Sequence, residues 1–402
     1  MQDINRTALG GIKVLDLSRI LAGPWATQML ADFGADVIKI EHPRQGDDTR
    51  GWGPPFLGEK QTAAYFHAAN RGKRSLALDI SSESGQQIVR QLATGADVLV
   101  ENFKVDGLAK YGLDFTSLKA LNPKLIYCSI TGFGQNGPYA HRAGYDFMIQ
   151  AMGGLMSITG EADGSPVKVG VALADVLTGL YACNAIQAAL LYRQQSGRGQ
   201  HIDLSLLDVQ VASLANQAMN YLATGLSPLR QGNSHPNIVP YQSFATADGY
   251  IILAIGNDSQ FARFCKLLGR EEWSTDDRFT TNQARVRNRA ELVGYIQPLL
   301  LQQDSQYWLD ALEASSIPGG PINDLKQVFS DPQIRYRQMQ RHFSQGEGSV
   351  PFVANPIRFS ESSIQYGAAP PKLGEHSDSI LHDELGLSCQ QLDELRRNGV
   401  LR

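Results

Sequence analysis

Four short apolar, β-branched runs separated by helix-spaced segments constrain this chain more than any other feature. The runs are 12–17, 36–41, 97–101 and 125–130, each bounded by Gly, Pro or polar residues. Between them, 25–33, 83–94 and 115–121 repeat their apolar residues with helical spacing. Parallel strands need crossovers long enough to hold a helix, so the alternation predicts a doubly wound α/β domain with a parallel sheet.

At 402 residues and 43% hydrophobic, the chain can bury a large core and is expected to form two domains. Near Tyr221 the helical pattern gives out into a Gly- and Pro-bearing polar stretch ending at Pro236, which reads as a linker. A second domain opens with a hairpin-like pair, 241–246 and 250–255, around Asp248 and Gly249. Helices follow at 261–268 and 290–301. Beyond Gln333 the chain reads as loops with a last helix over 388–398, capped by Ser388.

The net charge of -4 and pI near 6.1 argue against nucleic acid as a partner. The N-terminal stretch has no apolar signal core, and no run of about 18 apolar residues is seen that would cross a bilayer. A soluble, cytoplasmic protein with no membrane partner is expected. Cys128, Cys183, Cys265 and Cys389 lie far apart, without metal-ligand spacing, and read as buried thiols; no metal site is indicated.

Asp175 stands in an otherwise apolar stretch, 169–181, where a carboxylate is expensive unless something uses it. The run 176–192 reads as a helix buried on most sides, with Asp175 at or near its first turn. One role there is the N-cap. Another is a nucleophile, held ionised by the helix N-terminus, and the two are compatible.

Gly132, Gly134 and Gly137 fit G-x-G-x-x-G after a strand-like run, but Pro138 follows where a dinucleotide fingerprint needs a helix. The glycines then mark a loop able to approach a ligand closely. Neither a G-x-S-x-G elbow nor H-E-x-x-H occurs. Arg71, Lys73, Arg74, Lys104 and Lys110 fall near ends of the expected strands, where a phosphate-bearing ligand of an open α/β sheet finds its cations.

Seven segments together resemble the class III CoA-transferases, the family of formyl-CoA and carnitine CoA-transferases, over essentially the whole chain. They are GIKVLD (11–16), LAGP (21–24), GADVIKIE (34–41), NRGKRS (70–75), ADVLVENF (96–103), ALAD (172–175) and SGRGQ (196–200). The resemblance implies that Asp175 is the nucleophile, with Gln135 orienting it, and that Ala22, Arg74, Leu76, Asn102, Phe103 and Lys110 hold CoA. A loop at Gly256 is implied to cover the site, although this chain has one glycine where formyl-CoA transferases have several. The implied fold is a large Rossmann-like domain of residues 1–205 and 331–402, a linker helix over 206–224 and a smaller α+β domain over 225–330. Two chains are implied to interlink as a homodimer.

The implied chemistry is transfer of CoA from an acyl-CoA to a carboxylic acid through an aspartyl anhydride and an aspartyl-CoA thioester. The CoA thioester is then a substrate, and no tightly bound cofactor is expected. Alpha-methylacyl-CoA racemases share the family but carry histidine where this chain has Tyr145, and a phenol of pKa about 10 is a poor base at neutral pH. A CoA-binding non-enzyme would have no use for Asp175. The subgroup most resembled is that of succinyl-CoA:glutarate CoA-transferases, through SITG (157–160), GLYA (179–182), IVPYQ (238–242) and GGPIN (319–323). Arg142, Tyr145, His235 and Tyr241 are the side chains expected to meet the acid; itaconate, mesaconate and carnitine-type acids are alternatives to glutarate.

Overall fold

A computed structural model describes residues 7–57, 62–345 and 348–402. The N-terminal stretch judged above for a signal sequence lies, up to Arg6, outside the described residues. Contacts divide the chain into two units: 1–155 with 168–223 and 333–402, and 156–167 with 224–332. This differs from the expected boundaries, because 206–223 joins the large unit and 156–167 joins the small one.

In the large unit six parallel strands form one sheet among the described residues: β1 Lys13–Asp16, β2 Asp36–Glu41, β3 Lys73–Ala77, β4 Val98–Glu101, β5 Ile126–Thr131 and β6 His201–Ser205, in the order β3-β2-β1-β4-β5-β6. Alternate residues serve opposite cores, as a parallel sheet covered on both faces requires. Leu15, Ile38, Leu76, Leu99 and Tyr127 face one, and Val14, Val37, Val98, Ile126 and Cys128 the other. The first core is closed by helices α2 (Glu83–Gly95) and α3 (Phe115–Leu121), together with Ile380, Leu381 and Leu392 of the C-terminal segment. The second is closed by α1 (Ala22–Asp32) and by α5 (Leu173–Ser196).

Two of the six strands escaped the sequence reading. Both are edge strands without a continuous apolar run: β3 opens with Lys73, Arg74 and Ser75, and in β6 polar and apolar residues alternate. The segment after Gln333 is also richer than expected, holding a hairpin of Gln340–Gln345 with Gly348–Val353 and a helix Ser377–Leu385. The last helix, Cys389–Arg397, carries the expected Ser388 cap, with Gln391 completing a capping box. Cys128, Cys183 and Cys265 are buried, but Cys389 opens that helix and is exposed, contrary to expectation.

Helix α5 is long and apolar enough to cross a membrane by length and composition, which corrects the reading that no such run exists. Its burial is also one-sided. Ala174, Thr178, Ala182, Ile186 and Ala189 are buried, whereas Leu180, Tyr181, Leu191 and Tyr192 are exposed.

The small unit has a three-stranded antiparallel sheet of β7 (Tyr241–Ala245), β8 (Tyr250–Ala254) and β9 (Gly319–Pro321), in the order β9-β8-β7. Phe244, Ile251 and Leu253 pack on Phe261 and Phe264 of α6 (Asp258–Leu267) and on Leu292 and Ile296. The expected hairpin is present; β9 was hidden by its Gly-Gly-Pro composition.

Candidate active site

The strand order reverses its direction of growth between β1 and β4, so the loops leaving these two strands part there. Open α/β sheets bind ligands in the crevice formed at such a switch point. Asn102 leaves β4 into this crevice and is fixed to the β1 loop twice, its Oδ1 accepting from Arg19 N at 2.9 Å and its Nδ2 donating to Arg19 O at 2.7 Å. Phe103 donates its backbone N–H to Glu101 Oε2 at 2.8 Å, which sets the following turn. The guanidinium of Arg19 lies 5.9 Å from the Phe103 ring centroid.

A buried ion network holds the β1 loop from below. Lys73 Nζ donates to Asp16 Oδ2 at 2.9 Å, to Pro24 O at 3.0 Å and to Asn70 Oδ1 at 2.9 Å. Lys39 bridges Asp47 at 2.9 Å and Ser18 O at 2.9 Å, and Asp16 also accepts from Ser18 and Thr27. Burial works against the charge on Asp16, but Lys73, Lys39 and two hydroxyls outweigh it and hold its carboxyl down at about 2. Lys73 has one close carboxylate and a second lysine nearby, so burial prevails and brings it down to about 8.

Helix α5 lies directly on the start of α1. A Cβ placed on Gly179 would fall 2.7 Å from Ala22 O and 3.0 Å from Trp25 Cβ, so the absence of a side chain there sets the contact. Asp175 sits one turn before Gly179, on the same side of the helix. It is the third residue of α5, not its N-cap, which corrects one expectation: the helix starts at Leu173 and its N-cap Ala172 has no side-chain acceptor.

Asp146 supplies that acceptor. Its Oδ1 takes the N–H of Ala174 at 2.8 Å and of Asp175 at 3.4 Å from the start of helix α4 (Asp146–Met152). These first-turn N–H groups are therefore already engaged. Burial pushes the Asp175 carboxyl up to about 7, and the Asp146 charge adds to it. Among the described residues Asp175 forms no salt bridge. Tyr65 belongs to the same group: burial first, then Asp175, Asp146 and Asp47, raise its phenol further.

The glycine loop after β5 braces this arrangement. A Cβ on Gly132 would lie 2.6 Å from Gly144 Cα, so the two backbones cross in contact just before Tyr145 and Asp146. Gln135 donates its backbone N–H to Asp203 at 3.1 Å, and among the described residues its side chain makes no hydrogen bond to Asp175. Arg142 is exposed, with its guanidinium 4.0 Å from the Tyr139 ring centroid, and Tyr145 is exposed beside Asp146.

Other expected residues fall differently. Arg74 binds Asp36 and Glu384, and Glu384 also holds Lys13; these groups mark the N-terminal edge of the sheet. Arg74 thus ties the C-terminal helices to the sheet. Arg71 and Lys73 are likewise buried in pairs with Asp32 and Asp16. Ala22 and Leu76 are buried apolar side chains, so only their backbone is available to a ligand. Lys104 and Lys110 are exposed after β4, the ammonium of Lys110 lying 4.7 Å from the Tyr111 ring centroid.

In the small unit Gly256 donates its N–H to Gln260 Oε1 at 2.7 Å, so that donor is occupied. Asn257 caps α6, and Asp258 pairs with the fully buried Arg285 at 2.7 Å, anchoring the loop. His235 and Tyr241 pack with ring centroids 5.2 Å apart, and burial lowers the imidazole pKa. The sequence reading missed Tyr65 and Asp146. Asp146 could have been found as the acid following the Gly144–Tyr145 pair; Tyr65 carries no comparable signal.

Residues 9–377 match the family described as CoA-transferase family III. A succinate--glutarate CoA-transferase of Agrobacterium fabrum is 55% identical over 93% of this chain and 94% of its own length. A succinyl-CoA:glutarate CoA-transferase of Homo sapiens is 43% identical over 99% of this chain and 90% of its own. The crystal structure of a CAIB/BAIF family protein from Brucella suis superposes with a TM-score of 0.84 at 54% identity, covering 94% of this chain and all of that one.

Proposed function

Because this chain belongs to CoA-transferase family III, we propose that it moves CoA from succinyl-CoA to glutarate through covalent intermediates on Asp175. The observation that carries the mechanism is a half-buried carboxylate in the first turn of α5, without a salt bridge among the described residues and close to neutrality in its pKa. Such a group can be ionised at working pH and yet is not neutralised by a partner.

An Asp175 oxygen attacks the succinyl thioester carbonyl, the C–S bond breaks, and CoA thiolate leaves a mixed anhydride behind. The thiolate then attacks the aspartyl carbonyl, the anhydride C–O bond breaks, and succinate departs from an aspartyl-CoA thioester. A glutarate carboxylate attacks that thioester and expels the thiolate. The thiolate attacks the glutaryl carbonyl of the new anhydride, releasing glutaryl-CoA and free Asp175. Every step exchanges one activated carbonyl for another, so no external energy source is required.

Asn102, Phe103 and Lys110, with backbone of Ala22 and Leu76, are proposed to hold CoA at the switch point. Arg142, which has no salt bridge among the described residues, suits the distal carboxylate of a dicarboxylate, and Tyr145, His235 and Tyr241 are proposed as further residues that recognise the acid. Gln135 is proposed to orient Asp175. The Gly256 N–H can serve an anion once Gln260 swings aside. The exposed apolar face of α5 supports assembly as an interlinked homodimer, in which a second copy covers Leu180, Tyr181, Leu191 and Tyr192. Sedimentation as a monomer at micromolar concentration is the result that rejects this. We further infer a soluble cytoplasmic enzyme, because α5 is built into the core on its other face.

Mass spectrometry of the CoA esters formed from succinyl-CoA and a panel of glutarate, itaconate, mesaconate, carnitine and formate tests the assignment. Glutaryl-CoA appearing with matching loss of succinyl-CoA is expected; preferential formation of another ester reassigns the acceptor.

A further inference from the structure

Glu101 is a buried ionisable group that the chemistry above does not use. It ends β4, is 6% exposed and forms no salt bridge among the described residues. Its Oε2 accepts the Phe103 N–H, and Ser129 stands directly opposite it on β5. Ser129 Oγ lies 2.9 Å from His201 Nε2 on β6, so its hydroxyl is engaged by the next strand. Phe115 stacks on His201 at 4.9 Å and Tyr127 meets it edge-on at 5.7 Å, which encloses the imidazole on that side.

The charged and titratable groups around Glu101 do not neutralise it. Tyr127 and Cys128 on β5 are both raised by burial first and then by the Glu101 charge. Asp203 on β6 is acidic, Asp114 caps α3, and Arg19 of the β1 loop is committed to Asp48 at 2.9 Å. Burial therefore pushes Glu101 up to about 7 despite the Phe103 N–H donor. The carboxyl changes charge in the neutral range while it grips the turn that begins the nucleotide site.

We propose that Glu101 is a proton-linked positioning residue for CoA: ionised, it locks the Asn102–Phe103 turn through the Phe103 N–H, and protonated, it loosens that turn. This rests on the reading that the turn holds CoA. A hydrogen bond to a carboxylate is shorter and stronger than one to a neutral acid, so the turn is better ordered when Glu101 is charged. By linkage, CoA binds more tightly as pH rises through the titration of Glu101.

Calorimetric titration of the full-length protein with CoA at pH 6 and pH 8 tests this with three variants. Glu101→Gln keeps an acceptor but cannot ionise, Glu101→Leu removes the acceptor, and Phe103→Ala tests the turn itself. The wild type is expected to tighten several-fold from pH 6 to pH 8 relative to Glu101→Gln; titration of CoA's own phosphate is common to both and cancels. Glu101→Leu is expected to weaken CoA about tenfold at both pH values, with KM for the acyl-CoA rising far more than kcat falls. A Glu101→Gln profile that parallels the wild type overturns the proposal, as does wild-type affinity in Glu101→Leu. Unchanged affinity in Phe103→Ala instead overturns the reading that this turn holds CoA, whatever the Glu101 variants do.

Discussion

Asp146 Oδ1 accepts the backbone N–H of Asp175 at 3.4 Å and of Ala174 at 2.8 Å, so one carboxylate caps the helix that presents the other. The cap fixes the first turn of α5 and at the same time brings a negative charge beside the proposed nucleophile. Asp146 thereby contributes both to the position of Asp175 and, after burial, to its raised pKa.

Replacing Asp175 by Ala is expected to remove transfer. Binding of CoA should survive, because the proposed CoA contacts lie after β1 and β4 and on β3, outside α5. Calorimetry with CoA and a product assay on the same preparation check both halves, and near-normal turnover in the variant rejects the covalent mechanism.

The pH profile should follow the acidity of Asp175. With its carboxyl up at about 7, kcat/KM is expected to fall as pH drops below neutrality, because the nucleophile is lost to protonation. Asp146→Asn keeps an oxygen for the cap but removes the like charge. Its acid limb should therefore shift to lower pH. An unshifted limb shows that Asp146 does not tune the group that controls the rate.

Gly179→Ala separates helix propensity from packing. In an exposed helix the change gains about 1 kcal/mol. Here the new Cβ would fall 2.7 Å from the carbonyl oxygen of Ala22, and backbone cannot step aside cheaply. We expect a net loss of about 1–3 kcal/mol in denaturant unfolding, with a lower kcat as α5 and Asp175 move away from α1. A stabilised variant contradicts the contact.

Removing the ammonium beneath the β1 loop should be costly. Lys73→Met leaves Asp16 buried with Lys39 as its remaining nearby cation, and the expected destabilisation is about 3–5 kcal/mol. In the wild type Asp16 is depressed from 3.8 to about 2, so its stabilisation is present above pH 4 and is lost as pH falls toward 2. That contribution is about 2 kcal/mol, from the size of the depression. Acid titration of stability in the wild type and in Asp16→Asn checks the sign: the variant should lack this component.

Local pattern carried much of the architecture. Strands β1, β2, β4 and β5 are apolar runs because they are buried on both faces, and the hairpin of β7 and β8 is marked by its Asp248–Gly249 turn. The edge strands β3 and β6 and the hairpin at 340–353 were illegible for the opposite reason: their polar residues are satisfied by partners distant in sequence, such as Asp36 and Glu384 for Arg74. Arg71, Lys73 and Arg74 read as a phosphate-binding cluster for the same reason, since a charge in a sequence does not reveal its counter-charge.

A parallel α/β sheet, an anomalous aspartate at 175 and a resemblance that named the chemistry were all legible in the order of residues. These rest on periodicity, on the cost of burying a charge and on motifs contiguous in the chain. That Asp146 caps α5, that Gly179 seats the helix on Ala22 and that Glu101 grips Phe103 with no salt bridge among the described residues emerges only once the chain is folded. Close packing and desolvation act between groups brought together by the fold, and that is why a carboxylate's acidity and position are properties of the folded site.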